Sequence, residues 1–276
     1  MDETLAVQTA VNRTDPLHRH SGREPRVWRG LVRHWPAVTR WTFEHLGNLD
    51  RHRPVQVVQG NRETAASQMV DTTWGQHLTA LQHAGAVATD AVGHLKEFDL
   101  LRNFPALLHD VDLRPHFPSK AVVSSQAWIG PAHARTGLHH DLLDNLAFTI
   151  RGRKRFYLAP PGTVESLRLV SKKFDRWAKL SQVGVDELMA TSGAKATNAV
   201  QVIDLAPGDA LFVPRGWWHE VVNLEASILL SGFFGSRART WAVWAQTGAM
   251  QLVHEAGLWR RGQCTCHNEE LLAAKR

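Results

Sequence analysis

Two histidines and one aspartate form the most informative pattern in the sequence. His139 and Asp141 are two residues apart, and His219 follows 78 residues later. Side chains at i and i+2 of an extended strand share a face, so His139 and Asp141 would point into one cavity while His140 points away. Two imidazoles and a carboxylate on one side of an ion are the ligands of non-heme Fe(II) oxygenases, which leave positions for a co-substrate and O2. We therefore predict an iron site at His139, Asp141 and His219.

These residues also allow other interpretations. The chain has 16 histidines, so a His-x-Asp triplet also arises by chance. His133 and His140 compete as ligands, although strand parity puts His140 on the other face. A cupin with three histidines and a glutamate, of isomerase or dioxygenase type, and a non-catalytic binding barrel are the alternative classes. A structural zinc site at Cys264, Cys266 and His267 is a separate possibility.

The pattern of short apolar segments predicts a mainly β fold. Turn residues such as Arg151-Gly152-Arg153 and Pro207-Gly208-Asp209 separate the segments. Eight such segments favour a double-stranded β-helix, the jelly roll of cupins, with flanking N-terminal and C-terminal helices. The predicted strands are 121–128, 137–141, 145–151, 154–158, 200–205, 210–214, 219–222 and 226–234.

The same sequence pattern divides the chain into three parts. Residues 1–24 are expected to be a loose arm, residues 25–236 the catalytic domain, and residues 237–276 a C-terminal helical extension. Within the domain, residues 164–196 interrupt the strand pattern. Val170, Phe174, Trp177 and Leu180 have helical spacing, which predicts a helical insert near the barrel mouth.

A second set of residues suits a co-substrate. If 2-oxoglutarate chelates the iron through its 2-oxo acid end, its distal carboxylate needs a cation. Lys154 lies on the strand after a glycine turn and could supply that cation, and Thr136 could donate its hydroxyl to the same carboxylate. Asn145 could support the iron-bound end. Trp128, Trp217 and Phe148 are candidate walls of the pocket.

Several motifs resemble the cupin-like JmjC hydroxylases, the group that contains the asparaginyl hydroxylase inhibiting hypoxia-inducible factor. The resemblance spans residues 24–236, and its motifs are Trp28–Leu31, Trp35–Ala37, Phe98–Pro105, Gln126–Pro131, Thr136–Asn145, Arg151–Arg155 and Pro207–His219. It implies Fe(II) on His139, Asp141 and His219, with 2-oxoglutarate on Lys154 and Thr136, aided by Asn145. Where the family often has Asn-Phe-Trp, this chain has Ser231-Gly-Phe-Phe234, and the smaller Ser231 reaches less far toward the iron-bound carboxylate.

The resemblance implies a hydroxylase that uses Fe(II), 2-oxoglutarate and O2. The expected substrate is a peptide or protein side chain, and a small metabolite is the alternative. Histone-type demethylation is less favoured, since no reader module or basic tail accompanies the domain. The position of the C-terminal helices suggests a homodimer.

Composition limits the other function classes. The chain is 43% hydrophobic and carries a formal net charge of +6 without a dense basic stripe, so we expect no nucleic-acid partner. No apolar segment approaches the ~18 residues of a membrane helix, and the acidic N-terminus does not resemble a secretory signal. A cytoplasmic protein is the expectation.

Overall fold

The computed structural model of the chain describes residues 23–61, 67–84, 92–197, 200–260 and 263–266. The predicted loose arm therefore lies outside the described residues except for its last two positions. His267, predicted as a possible zinc ligand, also lies outside them.

The described part of the chain contains thirteen strands, seven α-helices and the 3-10 helices Pro105–Asp110 and Arg114–His116. The strands are β1 (Arg26–Trp28), β2 (Pro54–Gly60), β3 (Ser67–Thr73), β4 (Leu95–Phe98), β5 (Val122–Gly130), β6 (Arg135–Asp141), β7 (Asp144–Arg151), β8 (Lys154–Ala159), β9 (Ala178–Leu180), β10 (Gln201–Leu205), β11 (Ala210–Val213), β12 (Trp218–Asn223) and β13 (Ser227–Gly235). The helices are α1 (Pro36–Arg40), α2 (Phe43–Gly47), α3 (Trp74–Ala84), α4 (Leu100–Asn103), α5 (Thr163–Ser166), α6 (Val185–Thr197) and α7 (Arg237–Glu255).

Two antiparallel sheets face each other and form the predicted jelly roll. One has the strand order β1-β11-β7-β13-β5-β4, and the other has the order β10-β8-β12-β6-β9. Each of the eight strands predicted from the sequence is present, as β5–β8 and β10–β13. Along the chain these strands alternate between the sheets, except that β8 and β10 are neighbours in one sheet. This is the winding of a double-stranded β-helix. The predicted fold class is confirmed.

Three apolar clusters hold the layers together. The largest packs the N-terminal helices against the six-stranded sheet and contains Trp35, Trp41, Trp74 and Phe148. A second fills the space between the sheets, and a third packs α5 and α6 behind β6 and β12. Each buried tryptophan removes about 150–250 Å² of surface from water, so these clusters dominate the stability of the domain.

The segment 164–196 is only partly helical, so the prediction of a helix at residues 170–180 was wrong. Asp175 accepts hydrogen bonds from the backbone N–H groups of Trp177 and Ala178, at 2.8 and 3.0 Å, and this turn leads into β9. Strand β9 pairs with β6, which satisfies backbone groups that a helix would have bonded internally. The helical part of the segment comprises α5 and α6.

The predicted C-terminal helical extension contains α7. It exposes Trp241, Trp244, Leu252 and Val253. The homodimer expected through this extension stays a prediction. Among the described residues, no helix combines the length and the apolar character needed to cross a lipid bilayer.

The turn between β7 and β8 provides a stability test. Gly152 has φ +68°, and a Cβ there would lie 2.3 Å from the carbonyl oxygen of Ala226, whereas Gly162 has φ +86° with no atom within 4 Å. Gly162→Ala should cost about 1–2 kcal/mol, the penalty of a left-handed residue with a side chain. Gly152→Ala should cost a further ~1–3 kcal/mol because of the overlap. Urea unfolding measures both, and equal losses would contradict this account.

Candidate metal centre

Strand pairing places the three predicted ligands together. In the ladder between β6 and β12, His139 lies directly opposite His219. Asp141 lies two residues beyond His139 on β6 and therefore on the same face. Two strands that are far apart in sequence thus present their side chains to one point between the sheets.

The distances suit a single ion. Asp141 Oδ1 lies 3.8 Å from His139 Nε2, and Asp141 Oδ2 lies 3.6 Å from His219 Nε2. The ligand atoms of all three side chains lie within 4.8 Å of one another. First-row divalent ions hold nitrogen and oxygen ligands at about 2.0–2.2 Å, so atoms at these separations can share one ion. The side chains present therefore fit a metal.

Both imidazoles have the tautomer that metal binding needs. His139 Nδ1 donates to the carbonyl oxygen of Gly137 at 2.7 Å, and His219 Nδ1 donates to that of Trp217 at 3.0 Å. A carbonyl oxygen can only accept, so the proton must be on Nδ1. The Nε2 lone pair of each ring is then available to an ion, as in most histidine metal sites.

Burial shifts the protonation of this cluster toward neutral forms. It raises the pKa of Asp141 to about 6, against the opposing effects of His139 and of the Asn145 amide. It also lowers the pKa of His219 to about 4, so this ring is neutral at pH 7. A bound cation favours the ionised carboxylate and thus offsets the burial penalty on Asp141.

The competing histidines do not join the cluster. His140 packs edge-on against Trp218, with 4.7 Å between ring centroids, on the other face of β6. The His133 backbone pairs with Asn223, and its side chain lines a different depression of the surface. Strand parity therefore separates His139 from His140, whereas His133 lies before β6 begins.

A β-bulge brings Thr136 to the same cavity as the metal cluster. Three residues of β12, from His219 to Val221, face four of β6, from Thr136 to His139. The extra residue reverses the parity, so Thr136 and His139 both line the cavity although their spacing is odd. Thr136 therefore lines the same cavity as the metal cluster.

The cluster opens into a cavity of about 250 Å³ between the sheets. Its walls are largely apolar, including Phe156, Val221 and Leu229, and Ser124, Gln126 and Ser231 add polar groups. Trp128 lines the cavity as predicted. Phe148 and Trp217 were wrongly predicted as walls: Phe148 packs against Trp35 in the apolar cluster under the helices, and the Trp217 indole donates to the Arg23 carbonyl oxygen.

Lys154 also lines this cavity, and its ammonium group is fully buried. Among the described residues, its Nζ has one hydrogen bond, to Asn223 Oδ1 at 2.5 Å, and no carboxylate within ion-pair distance. Burial, with a smaller effect of Lys96, lowers the pKa of Lys154 to about 7. A buried lysine whose polar neighbour is a neutral amide is a strong site for an anionic ligand, because the anion would stabilise the protonated ammonium group.

Asn145 contacts the metal cluster rather than a separate part of the cavity. Its Nδ2 lies 3.4 Å from Asp141 Oδ2, so the amide helps to orient that carboxylate. Its buried Oδ1 has no hydrogen-bond partner among the described residues, as is also true of Gln126 Oε1. Buried polar atoms of this kind are available to a ligand or water in the cavity.

Asn223 was not singled out in the sequence analysis. It lies four residues after His219 on β12, fixes Lys154, and is itself held by a bond from its Nδ2 to the Pro131 carbonyl oxygen at 2.8 Å. Counting alternate positions from His219 along the strand would have found it, because His219, Val221 and Asn223 share a face.

Comparison with known proteins agrees with this geometry. The model of the "Cupin-like domain" family matches residues 18–240. The chain is 28% identical to lysine-specific demethylase 8 of Xenopus tropicalis, over 76% of the chain and 47% of that protein. It is 29% identical to an HSPB1-associated protein 1 homolog of Danio rerio, over 74% of the chain and 50% of that protein. Jumonji C domain-containing protein 5 of Drosophila melanogaster is 26% identical, over 75% of the chain and 54% of that protein.

The chain spans about half the length of these curated relatives. The family match extends over both sheets and all three predicted ligands, and the relatives include a Jumonji C protein, so the resemblance predicted from the motifs is confirmed. This chain belongs to the cupin-like domain family.

Proposed function

We propose that this protein is an Fe(II)- and 2-oxoglutarate-dependent oxygenase that hydroxylates an unactivated C–H bond of a peptide or protein side chain. The observation that carries the proposal is a single cavity with two distinct binding groups. The first is the cluster of His139, Asp141 and His219, and the second is the buried cation of Lys154. A ligand with a chelating end and a distant carboxylate complements this pair.

The three ligands would hold Fe(II) and leave three positions for exchangeable groups. The bound iron would supply the oxidative chemistry, in which O2 is activated as 2-oxoglutarate is converted to succinate and CO2. The protein contributes fixed geometry. The Gly137 and Trp217 carbonyl oxygens set the ring orientations of His139 and His219, and Asn145 orients Asp141.

Lys154 would bind the distal carboxylate of 2-oxoglutarate, with Thr136 as a second donor. Both line the cavity that also contains the metal cluster. Hydrogen bonds between charged groups are stronger than neutral ones, especially away from water. The apolar walls reduce competition from water for the lysine.

The entrance to the cavity supports a peptide or protein substrate. Trp177 and Trp244 line the cavity and remain 38% and 47% exposed. Exposed aromatic side chains are frequent in protein-recognition surfaces. The names of two relatives, a lysine-specific demethylase and an HSPB1-associated protein, also connect such chains with proteins.

A substrate screen tests this proposal. The purified full chain would be incubated with Fe(II), 2-oxoglutarate and ¹⁸O2, separately with a peptide library and with a small-metabolite pool. We expect a peptide product that gains one labelled oxygen, with stoichiometric succinate, and no product from Asp141→Ala. Labelled products from the metabolite pool alone would overturn the substrate class, and formaldehyde release would indicate demethylation. Turnover that needs neither iron nor 2-oxoglutarate would overturn the proposal as a whole.

The ligand assignment predicts opposite results for neighbouring histidines. His139→Ala removes a ligand and should weaken Fe(II) binding by more than the ~10–100-fold typical of lost outer contacts. It should also abolish succinate formation. His140→Ala, on the other face of β6, should retain both. Anaerobic titration with Fe(II) and 2-oxoglutarate, followed by the visible charge-transfer band, measures binding. A normal band in His139→Ala would exclude this residue as a ligand.

The role of Lys154 predicts a pH dependence of 2-oxoglutarate affinity. The pKa of Lys154 is about 7 without ligand, and a bound carboxylate raises it, so binding takes up a proton above pH 7. Affinity should therefore be constant below about pH 7 and fall by up to about tenfold per pH unit above it. Lys154→Met should bind about 10–100-fold more weakly and without this slope, since a charged hydrogen bond is lost.

Anaerobic calorimetry on the iron-loaded protein measures these affinities. Arg153→Ala is the matched control, because that neighbouring side chain is exposed and paired with Glu225 at 2.6 Å. It should behave as the wild type. An unchanged pH slope in Lys154→Met would show that another group binds the carboxylate.

A further inference from the structure

A second cluster of metal-binding side chains lies at the end of α7, apart from the cavity. It consists of His254 on the helix and of Cys264 and Cys266 in the segment that follows. The ligand atoms of these three residues lie within 4.8 Å of one another. Both cysteines are thiols rather than a disulfide. The sequence analysis placed these cysteines in a possible zinc site but did not include His254.

The imidazole of His254 is oriented for metal binding. Its Nδ1 donates to the carbonyl oxygen of Trp259 at 2.9 Å, so Nε2 has the available lone pair. That Nε2 lies 3.2 Å from Cys266 Sγ. The ring is fully buried and packs on Phe174, with 4.7 Å between ring centroids. These are the same features that orient the histidines of the first cluster.

The two cysteines are held by backbone pairing. Phe174 N donates to Gln263 O at 2.7 Å, and Thr265 N donates to Phe174 O at 3.0 Å. This pairing holds Cys264 against Phe174, and the chain bends on either side of it. Both sulfur atoms lie within 4.8 Å of the ligand atom of His254, while the Thr265 hydroxyl donates to Asp175.

We propose that His254, Cys264 and Cys266 bind a zinc ion that is distinct from the iron centre. Two thiolates and an imidazole are soft ligands that select zinc, whereas the cluster at Asp141 offers only nitrogen and oxygen. In a tetrahedral zinc site, sulfur and nitrogen ligands at about 2.3 and 2.0–2.1 Å lie about 3.5–3.8 Å apart. The separation of Cys266 Sγ from His254 Nε2, 3.2 Å, is close to this span, and the other pairs lie within 4.8 Å. The fourth position would be open to water.

The zinc ion would brace the rim of the cavity. Thr265, between the two cysteines, donates its hydroxyl to Asp175 Oδ2 at 2.6 Å. The other oxygen of Asp175 accepts from Trp177 N, just before the rim strand β9, and from Ala178 N, its first residue. The ion thus connects α7, whose Trp244 lines the cavity, with the turn that positions Trp177. The site does not depend on the proposed oxygenase activity.

Cobalt binding tests the ligand set. Co²⁺ bound by thiolates has a sulfur-to-cobalt charge-transfer band in the near ultraviolet, and a site of histidine and aspartate lacks it. Titration of the metal-free full chain should give this band with one equivalent of cobalt. The band should persist in Asp141→Ala and disappear in the double variant Cys264→Ser, Cys266→Ser. Absence of the band in the wild type, or its persistence in the double variant, would overturn the proposal.

Alkylation of the wild type tests the site without substitution. The chain has two cysteines, so mass spectrometry counts the modified thiols directly. Zinc, but not magnesium, should protect both thiols from iodoacetamide, and a chelator should restore both reactions. Equal alkylation rates with and without zinc would overturn the site.

Amide hydrogen exchange tests the bracing role. Zinc should slow exchange at Trp177 and Ala178, and unchanged exchange there would remove this role. If the wild-type protein shows the cobalt band but forms no succinate, the result counts against the proposed oxygenase alone. If it forms succinate but shows no cobalt band, the result counts against the zinc site alone.

Discussion

The pairing of β6 with β12 is the constraint on which the rest of the site depends. His139 meets His219 only in this register, and a slip of one residue would turn every side chain of β6 to the opposite face. The register is fixed from both sides. Leu138 and Trp218, whose side chains point away from the cavity, are buried in the apolar cluster behind the sheet. A slip would therefore expose that cluster as well as separate the ligands.

The same strand, β12, also positions the opposite end of the cavity. It pairs with β8 so that Asn223 lies opposite Lys154. His219 and Asn223 are four residues apart, which is roughly 13 Å along a strand. The distance between the metal cluster and the buried cation is thus set by the backbone geometry of one strand rather than by mobile loops. This is the precision that a ligand with two separated anionic ends requires.

The site is unfavourable for the stability of the protein without ligands. A buried carboxylate with a pKa near 6 and a buried lysine with a pKa near 7 both lie far from their values in water. Each would be accommodated more easily at the surface. Their opposite charges are not paired with each other, and each faces the cavity. Such an arrangement is understandable when a cation and an anion occupy the two ends.

Sequence patterns predicted the parts of the structure that follow simple periodicity. Alternation along strands gave the eight strands of the jelly roll and the choice of His139 over His140. Patterns failed where long-range pairing decided the conformation. Residues 170–180 have helical spacing, but β9 forms because β6 offers an unpaired edge there. The bulge at Thr136 depends on its partner strand, and His254 meets the cysteines only through the fold.

The rim strand connects the two clusters physically. In the ladder between β9 and β6, Ala178 lies opposite Asp141 and Leu180 lies opposite His139. The turn that begins β9 is held by Asp175, which Thr265 contacts from the cysteine segment. A displacement of that segment would thus reach two ligands of the first cluster through hydrogen bonds and one short strand. Because packed elements shift as units rather than deform gradually, a bound ion at His254 would stabilise the geometry of the first centre without touching it.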